Sequence, residues 1–439
     1  MKRCPLPGAA KILKLQKELR CAQKQTPKPR RGQLVRKRPA CYRALKAKRR
    51  IAYTGAAAVA RRNEIWQAAR RVNRDADPSS QERAHAMLVA AGYLEPPPKR
   101  CPTCRRGYLS APIRRGDSIR LRCNEDACQV YHNVLKFSKL KCLSGFNKKI
   151  GRSLTCMKLH RLLRAYTPQL NSRAPRAKES GAAVGLNEKP AKRLFDELRA
   201  IEARAAHLQN ASIKLGGNVE VQRNVEGDGT VLRKMYLSKK NSLWQNEIME
   251  AEKALKRRGV LPTSRRPVWV GHIRYAAVCE RGGPITIARL PTRVVSPHGP
   301  PPPEAFEELA KAGLLLRCDP KCNLFTDGAR SWPKLVKAHN RKYKARVKLH
   351  EVVHLKGQFC KTVQKRHQGQ STIAGTESID SRWRWMKAYV PTTVVAKRDG
   401  RENPLLDTYV FSYQYRVNTR VAGKCLWSSL GALVREQGK

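Results

Sequence analysis

The chain is poor in acidic residues. Its 439 residues include 33 Asp and Glu against 91 Lys and Arg, which gives a formal charge of +58 at pH 7. An excess of this size repels itself strongly unless a polyanion neutralises it, so the composition favours a nucleic-acid-binding protein. A membrane surface is the weaker partner, because no amphipathic anchor stands out. The chain also lacks an apolar run near the roughly 18 residues of a transmembrane helix, and its N-terminus lacks the apolar core of a signal peptide.

Aromatic residues are also few, at 6% of the chain, yet hydrophobic residues reach 41%. That content is enough for a sizeable core, so full disorder is excluded, and the length predicts two or three domains. The 14 cysteines are scattered along the chain, which favours a reducing compartment and metal or core roles over a disulfide framework. Cys318 and Cys322 have no second pair beside them and are expected to pack in the core.

Basic residues are concentrated in the first 100 residues, which hold 26 Lys or Arg and six acids. Clusters recur at Lys28–Arg31, Arg36–Arg38 and Lys46–Arg50. Such runs are typical of a poorly ordered phosphate-binding arm or a nuclear address, and a solubilising tail is the plainer alternative. We therefore predict a largely disordered or helical nucleic-acid-binding arm over 1–95. Its helices are expected near 55–72 and 80–92.

Four closely spaced cysteines follow the arm, in Cys101-Pro-Thr-Cys104 and Cys123-Asn-Glu-Asp-Ala-Cys128. Four thiolates on two turns match tetrahedral Zn²⁺ coordination, and a site without an open position is structural. We predict a zinc ribbon over 96–140, with free buried cysteines as the alternative. His132 lies close by and is expected on the surface rather than as a fifth ligand.

Residues 141–210 are predicted to be a small helical domain. Thr155 is placed to cap a first helix, and Asn187 a second one with Pro190 in its first turn. The second helix resembles a basic recognition helix of a helix-turn-helix unit, with a helical hairpin that only packs as the alternative. Its candidate DNA-binding residues are Lys189, Lys192, Arg193 and Arg199.

From about residue 215 the pattern changes to strands that alternate with helices. Strands are predicted near 219–235, 268–279, 284–295, 323–326 and 346–354. Helices are predicted near 241–258 and 303–313, from Thr376, and near 404–418. Three strands followed by αβαβα is the order of an RNase-H-like mixed sheet, so we predict an α/β fold of this class over 211–425, with 426–439 as a tail.

Three acids stand where such a sheet could bring them together. Asp228 lies in the first strand region, Asp327 ends a buried strand, and Asp380 opens a helix. Metal-dependent phosphoryl transfer on DNA needs divalent cations held by neighbouring carboxylates. Taken singly each acid is ambiguous, because Asp327 before a glycine could form a turn and Asp380 could pair with Arg384.

The order of these motifs resembles the DDE transposases of the ISXO type and their Merlin relatives. Phe325-Thr-Asp327-Gly-Ala329 matches the family's Asp-Gly-Ala strand end, and Val353-His354-Leu-Lys-Gly-Gln-Phe359 its His-x-x-Gly-x-Phe segment. Ile379-Asp380-Ser-Arg-Trp383 matches the Asn-x-Ile-Glu-x-x-Trp helix, and Tyr415-Arg416-Val-Asn418-Thr-Arg420 the closing Arg-x-Asn-x-Arg helix. The resemblance covers roughly residues 100–420 and leaves the basic arm outside.

The resemblance assigns roles to individual residues. Asp327 takes the place of the second catalytic acid, and Asp380 that of the third, where the family usually has Glu. Glu377 stands where the family has Asn and could assist, and His354 is expected near the active site. For the first acid, Val225-Glu-Gly-Asp228-Gly keeps the charge and is favoured over Val219-Glu-Val-Gln222, which loses it.

The resemblance implies a cut-and-paste transposase. Asp228, Asp327 and Asp380 would hold two Mg²⁺ or Mn²⁺ ions, and one Zn²⁺ would be structural. The expected partners are double-stranded DNA, as terminal inverted repeats and target, and further copies of the chain in a synaptic complex. The expected location is the nucleus, or the nucleoid or cytoplasm of a bacterial host. A domesticated, catalytically inactive DNA-binding protein is the alternative, and a ribosome-associated RNA-binding protein is a distant third.

Overall fold

The computed structural model describes residues 78–144, 154–167, 173–217, 224–238, 242–257, 259, 268–295, 301–352, 361–364, 371–398 and 400–437. The chain divides into two units, Met1–Arg71 and Val72–Lys439, and all of these residues lie in the second. The helix predicted near 55–72 and nearly all of the basic arm lie outside the described residues. No described helix is long and apolar enough to cross a membrane.

The N-terminal part of the described chain is built around a small antiparallel sheet. Its elements are α1 (Gln81–Ala91), β1 (Ile113–Arg115), β2 (Ser118–Arg122), β3 (Tyr131–Asn133) and α2 (Lys141–Ser144). Helix α1 is confirmed near its predicted bounds, with Ser80 accepting a hydrogen bond from the Arg83 N–H at 3.1 Å. Leu88 and Tyr93 are buried in one cluster with Ile119 of β2. Helix α1 therefore packs against the cysteine-containing sheet.

Three helices follow, α3 (Cys156–Tyr166), α4 (Ala177–Ala183) and α5 (Glu188–Ser212). Thr155 caps α3 as predicted, accepting a hydrogen bond from the Lys158 N–H. Asn187 precedes α5 as predicted, but its side chain makes no capping bond. Helix α5 has 25 residues and contributes side chains to two separate hydrophobic clusters. Its first half buries Leu194 and Phe195 beside α3, and its second half buries Ala206 beside the main sheet.

The main sheet has five strands in the order β6-β5-β4-β7-β8. These are β4 (Asn224–Ser238), β5 (Val268–Glu280), β6 (Ile285–Val295), β7 (Asn323–Thr326) and β8 (Lys348–Glu351). β4, β5 and β6 are antiparallel, whereas β7 runs parallel to both β4 and β8. The helices between them are α6 (Gln245–Arg257), α7 (Phe306–Ala312) and α8 (Ser331–Tyr343). The predicted α/β order is therefore confirmed, with the strand predicted at 346–354 described as the shorter β8.

The rest of the described chain adds two antiparallel strand pairs, β9 with β10 and β11 with β12, and three helices. These are β9 (Lys361–Gln364), β10 (Ser371–Ala374), α9 (Glu377–Tyr389), β11 (Lys397–Arg398), β12 (Arg401–Glu402), α10 (Leu405–Val421) and α11 (Leu426–Glu436). Helix α11 occupies most of the predicted tail and buries Leu430 and Val434 with α1. Helix α11, close to the C-terminus, therefore completes the hydrophobic core that contains α1 and β2.

Side chains of helix α10 form hydrogen bonds with backbone groups of β6, the strand at the edge of the sheet. The Ile285 N–H donates to Asn418 Oδ1 at 2.8 Å, and Asn418 Nδ2 donates back to the Ile285 carbonyl at 2.9 Å. The Ile287 N–H donates to Gln414 Oε1 at 2.8 Å. An exposed strand edge promotes association, and these side chains cover that of β6.

A buried ion pair ties α10 to α5 and α3. Glu202 has no exposed surface, and its Oε2 accepts hydrogen bonds from Arg416 Nε at 3.2 Å and from the Tyr166 hydroxyl at 2.8 Å. The Ser412 hydroxyl donates to the same oxygen. Because a buried carboxylate needs partners for its charge, this network fixes the helices relative to one another.

Candidate metal centres

The four predicted cysteines converge on one point. The sulfur atoms of Cys101, Cys104, Cys123 and Cys128 all lie within 4.8 Å of one another. Cys101 and Cys128 are 3.9 Å apart, and Cys104 and Cys123 are 3.6 Å apart. Sulfurs bound to zinc at about 2.3 Å occupy a tetrahedron with edges of roughly 3.8 Å. The donor set and its spacing could therefore hold a metal such as zinc.

The backbone around the cysteines is shaped for close approach. Gly107 donates its N–H to Cys104 Sγ at 3.4 Å. A Cβ atom at Gly107 would lie 2.5 Å from Cys123 Sγ, so no larger residue fits there. The N–H of Gly107 is the largest cause lowering the pKa of the Cys104 thiol, to about 7, which favours the ligating thiolate.

His132 is buried, at 4% exposure, so the expectation of a surface position is wrong. Its Nε2 lies 3.3 Å from Cys101 Sγ. A ring N–H at that distance supports a thiolate from outside the ligand set, as second partners of metal ligands commonly do. The alternation in Tyr131-His132-Asn133 carried this signal, since β3 must turn its middle residue toward the core when both neighbours point outward.

The carboxylates come together through strand pairing. In the parallel ladder between β4 and β7, Val225 is opposite Leu324 and Glu226 is opposite Phe325. Two residues further along each strand stand Asp228 and Asp327, so the register places them side by side. Asp327 Oδ1 also accepts the Ala329 N–H at 3.2 Å, in a turn that Gly328 allows with φ of 84°.

Asp380 reaches the same region from α9. Trp383, one turn further along α9, donates its indole N–H to Asp228 Oδ2 at 3.0 Å. Thr376 Oγ donates to Asp380 Oδ2 at 3.3 Å. Helix α9 is thereby bound to β4 at the position of Asp228, and Asp380, which is exposed, lies three residues before Trp383 on the same side of the helix.

The neighbouring acids act on the carboxyl group of Asp228. The pKa of Asp228 is raised well above its ordinary value, first by burial and then by the charges of Asp327, Asp380 and Glu304. Among the described residues only the cysteine group has three or more ligand atoms within 4.8 Å of one another, so the carboxylates face each other at longer range. Carboxylates that lie near one another favour the binding of a divalent cation.

Two charged residues at this site were missed by sequence reasoning. Glu304 precedes α7, and an added Cβ at Gly229 would overlap its carboxylate, which places Glu304 over the residue after Asp228. Lys387 lies two helical turns after Asp380, and the charges of Asp228 and Asp380 oppose the lowering of its pKa by burial. The seven-residue spacing between Asp380 and Lys387 on α9 could have predicted that Lys387 belongs to the site. No sequence pattern near Glu304 predicts that it does.

A second buried ion pair holds α9 against the sheet. Glu226 has no exposed surface, and it accepts hydrogen bonds from Arg281 Nε at 2.6 Å and from the Ile379 N–H at 2.9 Å. Arg281 also donates to the Gly375 carbonyl at 2.9 Å and lies 4.4 Å from the centre of the Phe325 ring. One carboxylate on β4 therefore sets where the first turn of α9, and with it Asp380, is placed.

The remaining predicted site residues are placed as follows. Glu377 is exposed in the first turn of α9, and His354 lies outside the described residues. Lys189, Lys192 and Arg193 are exposed on α5, where Lys192 pairs with Asp196. Arg199 is 3% exposed, pairs with Asp196 and lies 4.4 Å from the Tyr409 ring, so it is not presented to DNA.

Comparison with known proteins finds no family model, no curated protein and no solved structure that matches this chain.

We predict that Cys101→Ser, Cys104→Ser removes the bound metal, because two of the four thiolate donors are lost. The matched control is Cys318→Ser, Cys322→Ser, a pair of buried cysteines four residues apart and outside the cluster. Elemental analysis of the purified chain measures zinc per molecule. An unchanged zinc content in the first variant, or an equal loss in the control, would contradict the site.

We predict that Glu226→Gln loosens the first turn of α9. The neutral side chain leaves the Arg281 charge buried without its partner, and breaking a buried pair typically costs about 3–5 kcal/mol. Hydrogen exchange over 376–383 should accelerate by about tenfold or more. Glu202→Gln is the control, since it breaks an equally buried pair elsewhere. Equal acceleration over 376–383 in both variants would show that Glu226 has no specific hold on α9.

Proposed function

We propose that this chain is a DDE-type transposase, which binds the ends of a DNA element and catalyses metal-dependent strand cleavage and strand transfer. The observation that carries the proposal is that Asp228 and Asp327 are neighbours on two parallel strands and that Asp380 lies on the helix bound to Asp228. These are the acids that the resemblance to ISXO-type transposases assigns to catalysis. The charges of Asp327 and Asp380 both contribute to raising the pKa of Asp228.

The strand order supports an RNase-H-like catalytic domain. Three antiparallel strands are followed by α7, β7, α8, β8 and α9, with the β9–β10 pair inserted before α9, so apart from that pair the order is three strands and then αβαβα. The sheet places Asp228 on its central strand and Asp327 at the end of the adjacent one. The four cysteines, on turns around a small antiparallel sheet, support a zinc ribbon with one structural Zn²⁺.

Within this proposal Asp228, Asp327 and Asp380 hold two Mg²⁺ or Mn²⁺ ions. When bound, the ions supply activation of the attacking oxygen and charge stabilisation of the leaving oxygen. Hard carboxylate oxygens are the donors these cations prefer, and the residual repulsion at Asp228 suits a cation of charge two. Glu304 lies close enough to add a fourth carboxylate, which offsets the shorter reach of Asp380 compared with Glu.

The chain's own residues position the reaction. Glu226 and Arg281 fix α9, Trp383 orients the Asp228 carboxylate, and Lys387 supplies a cation beside the acids for a DNA phosphate. Water first breaks a phosphodiester P–O bond at the element end and leaves a 3′-hydroxyl. That hydroxyl then attacks a target phosphate in line, so that one P–O bond forms as another breaks.

Duplex DNA is the proposed partner, as terminal repeats and as target. A formal charge of +58 provides the phosphate attraction. Bringing two element ends together needs a second copy of the chain, so we propose a homo-oligomeric synaptic complex. The basic runs in the first 50 residues favour a nuclear location in a eukaryotic host.

The alternative is a DNA-binding protein that descends from a transposase and has lost catalysis. Two observations favour it. The carboxylate oxygens do not converge as the cysteine sulfurs do within the described chain, and the third acid is Asp rather than Glu. The two functions differ in one measurable property, cleavage that depends on the acids.

We predict that Asp327→Asn abolishes Mn²⁺-dependent nicking of supercoiled plasmid DNA, because the metal site loses a ligand charge. Binding to the same DNA should be unchanged or slightly tighter, since one negative charge is removed. Plasmid nicking requires no knowledge of the element ends, and gel electrophoresis measures it.

Asp319→Asn is the matched control. Asp319 Oδ1 accepts the Lys321 N–H at 2.8 Å, so it forms the same local turn as Asp327 with Ala329, but away from the acids. If both variants nick as well as the parent chain, or both lose activity equally, Asp327 is a turn residue and not a catalytic one. No nicking by the parent chain would favour the inactive DNA-binding protein.

A further inference from the structure

The sheet of β1, β2 and β3 has two unlike faces. Directly opposed residues in an antiparallel pair share a face, and the register pairs Ile113 with Arg120 and Arg122 with Tyr131. With the alternation along each strand, one face carries Ile113, Arg115, Ser118, Arg120, Arg122, Tyr131 and Asn133, and we call it the arginine face. The other face carries Arg114, Ile119, Leu121 and His132.

The two faces have different surroundings. Ile119, Leu121 and His132 are at most 4% exposed and pack toward the core and the cysteines. On the arginine face, Ile113 is 46% and Tyr131 37% exposed. Arg115 and Arg122 are exposed too, and Arg120 is half-buried. The structure thus keeps three guanidinium groups and an aromatic ring together on an open surface.

Within the described residues, no carboxylate neutralises the charge of the three arginines. None of Arg115, Arg120 and Arg122 forms an ion pair with a carboxylate in the part of the chain that the structure describes. Their contacts are with neutral groups: Arg122 donates to Gln129 Oε1 at 2.8 Å, and Arg120 Nε donates to Ser118 Oγ at 3.0 Å. Three close positive charges repel one another, so an anion at this face is stabilising.

The arginines are also held in place before any ligand arrives. The Arg115 guanidinium lies 4.4 Å from the centre of the Tyr131 ring, and that of Arg122 lies 5.9 Å from it. Cation–π contact restrains long side chains that otherwise lose rotamer entropy on binding. A planar guanidinium that is fixed in this way is suited to phosphate oxygens.

We propose that the arginine face binds the phosphate backbone of duplex DNA, an inference that rests on the proposed function in taking DNA as the substrate. A binder of single strands needs free aromatic faces for base stacking, whereas Arg115 already lies over the ring of Tyr131. The surface of α5 is the weaker candidate, because Lys192 pairs with Asp196 and Arg199 is buried. The β1–β2 hairpin, with its turn at Gly116, is also a two-stranded antiparallel ribbon, a kind of element that the major groove of DNA admits.

The test measures binding of the full chain to a short labelled duplex of arbitrary sequence by fluorescence anisotropy over a range of KCl concentrations. The variant is Arg115→Gln, Arg120→Gln, Arg122→Gln. Each phosphate contact contributes about 0.9 to the slope of log affinity against log salt. We expect the slope of this variant to fall by about 2 or more. Its zinc content and circular dichroism check that the fold is retained.

Three further variants separate a specific surface from general charge. Lys334→Gln, Lys337→Gln, Arg341→Gln removes the same charge from exposed positions of α8, and we expect a slope change below about 1. Lys189→Gln, Lys192→Gln, Arg193→Gln tests the rival surface of α5. Replacing the three arginines of the arginine face by Lys keeps their charge and should restore most of the slope.

Equal slope changes in the arginine-face and α8 variants would overturn the proposal, since only net charge would then matter. A larger change in the α5 variant, or tighter binding of a single strand than of the duplex, would overturn it as well. Nicking activity separates this inference from the proposed function. A parent chain that never nicks DNA, but whose binding depends on the arginine face, contradicts the transposase and supports the face. If the arginine-face variant binds and nicks DNA as well as the parent chain, the result supports the transposase and contradicts the proposed role of the arginine face.

Discussion

The parallel pairing of β4 with β7 is the contact on which the site depends. It fixes Glu226 opposite Phe325, and the chain then brings Asp228 and Asp327 together without further help. β7 has only four residues and ends at Thr326. Asp327 therefore follows the last strand residue directly, beside Asp228. The same stretch of β4 carries Glu226, which binds the first turn of α9. A slip of one residue would turn both acids of β4 to the other face.

Buried ion pairs do the rest of the positioning. In a chain with 33 acids and 91 bases, an acid without exposed surface is a notable arrangement. Glu226 with Arg281 links β4, the end of β5 and α9, and Glu202 with Arg416 links α5, α3 and α10. A buried pair adds little net stability over apolar packing, but removing one partner is strongly destabilising. Such pairs therefore determine the positions of the helices, and they contribute less to the net free energy of unfolding.

Much of this was predictable from local sequence. Period-two and period-3.6 patterns gave the strands and helices of the main sheet, and cysteine spacing predicted the cluster. What failed depends on tertiary context. Arg199 has the charge of a surface residue, yet α5 is covered on that side by Tyr409 of α10, far away in sequence. Glu304 follows a run of prolines and lies over Gly229, next to Asp228. A proline run has no helical or strand periodicity from which this position could be predicted. His354 stays a prediction, because it lies outside the described residues.

The most direct test of the account is thermal unfolding of the parent chain and of Asp228→Asn, each with EDTA and with saturating Mn²⁺. Burial and neighbouring acids raise the pKa of Asp228, so the metal-free fold loses stability as pH rises from the ordinary carboxyl range through the raised value. At neutral pH the variant should therefore melt above the parent in EDTA. Mn²⁺ at 100 times its Kd adds about 2.7 kcal/mol, or roughly 3–4 °C in Tm for a unit of this size, to the parent alone. A variant that melts below the parent in EDTA, with an equal response to Mn²⁺ in both chains, would contradict the claim that these acids form a cation site.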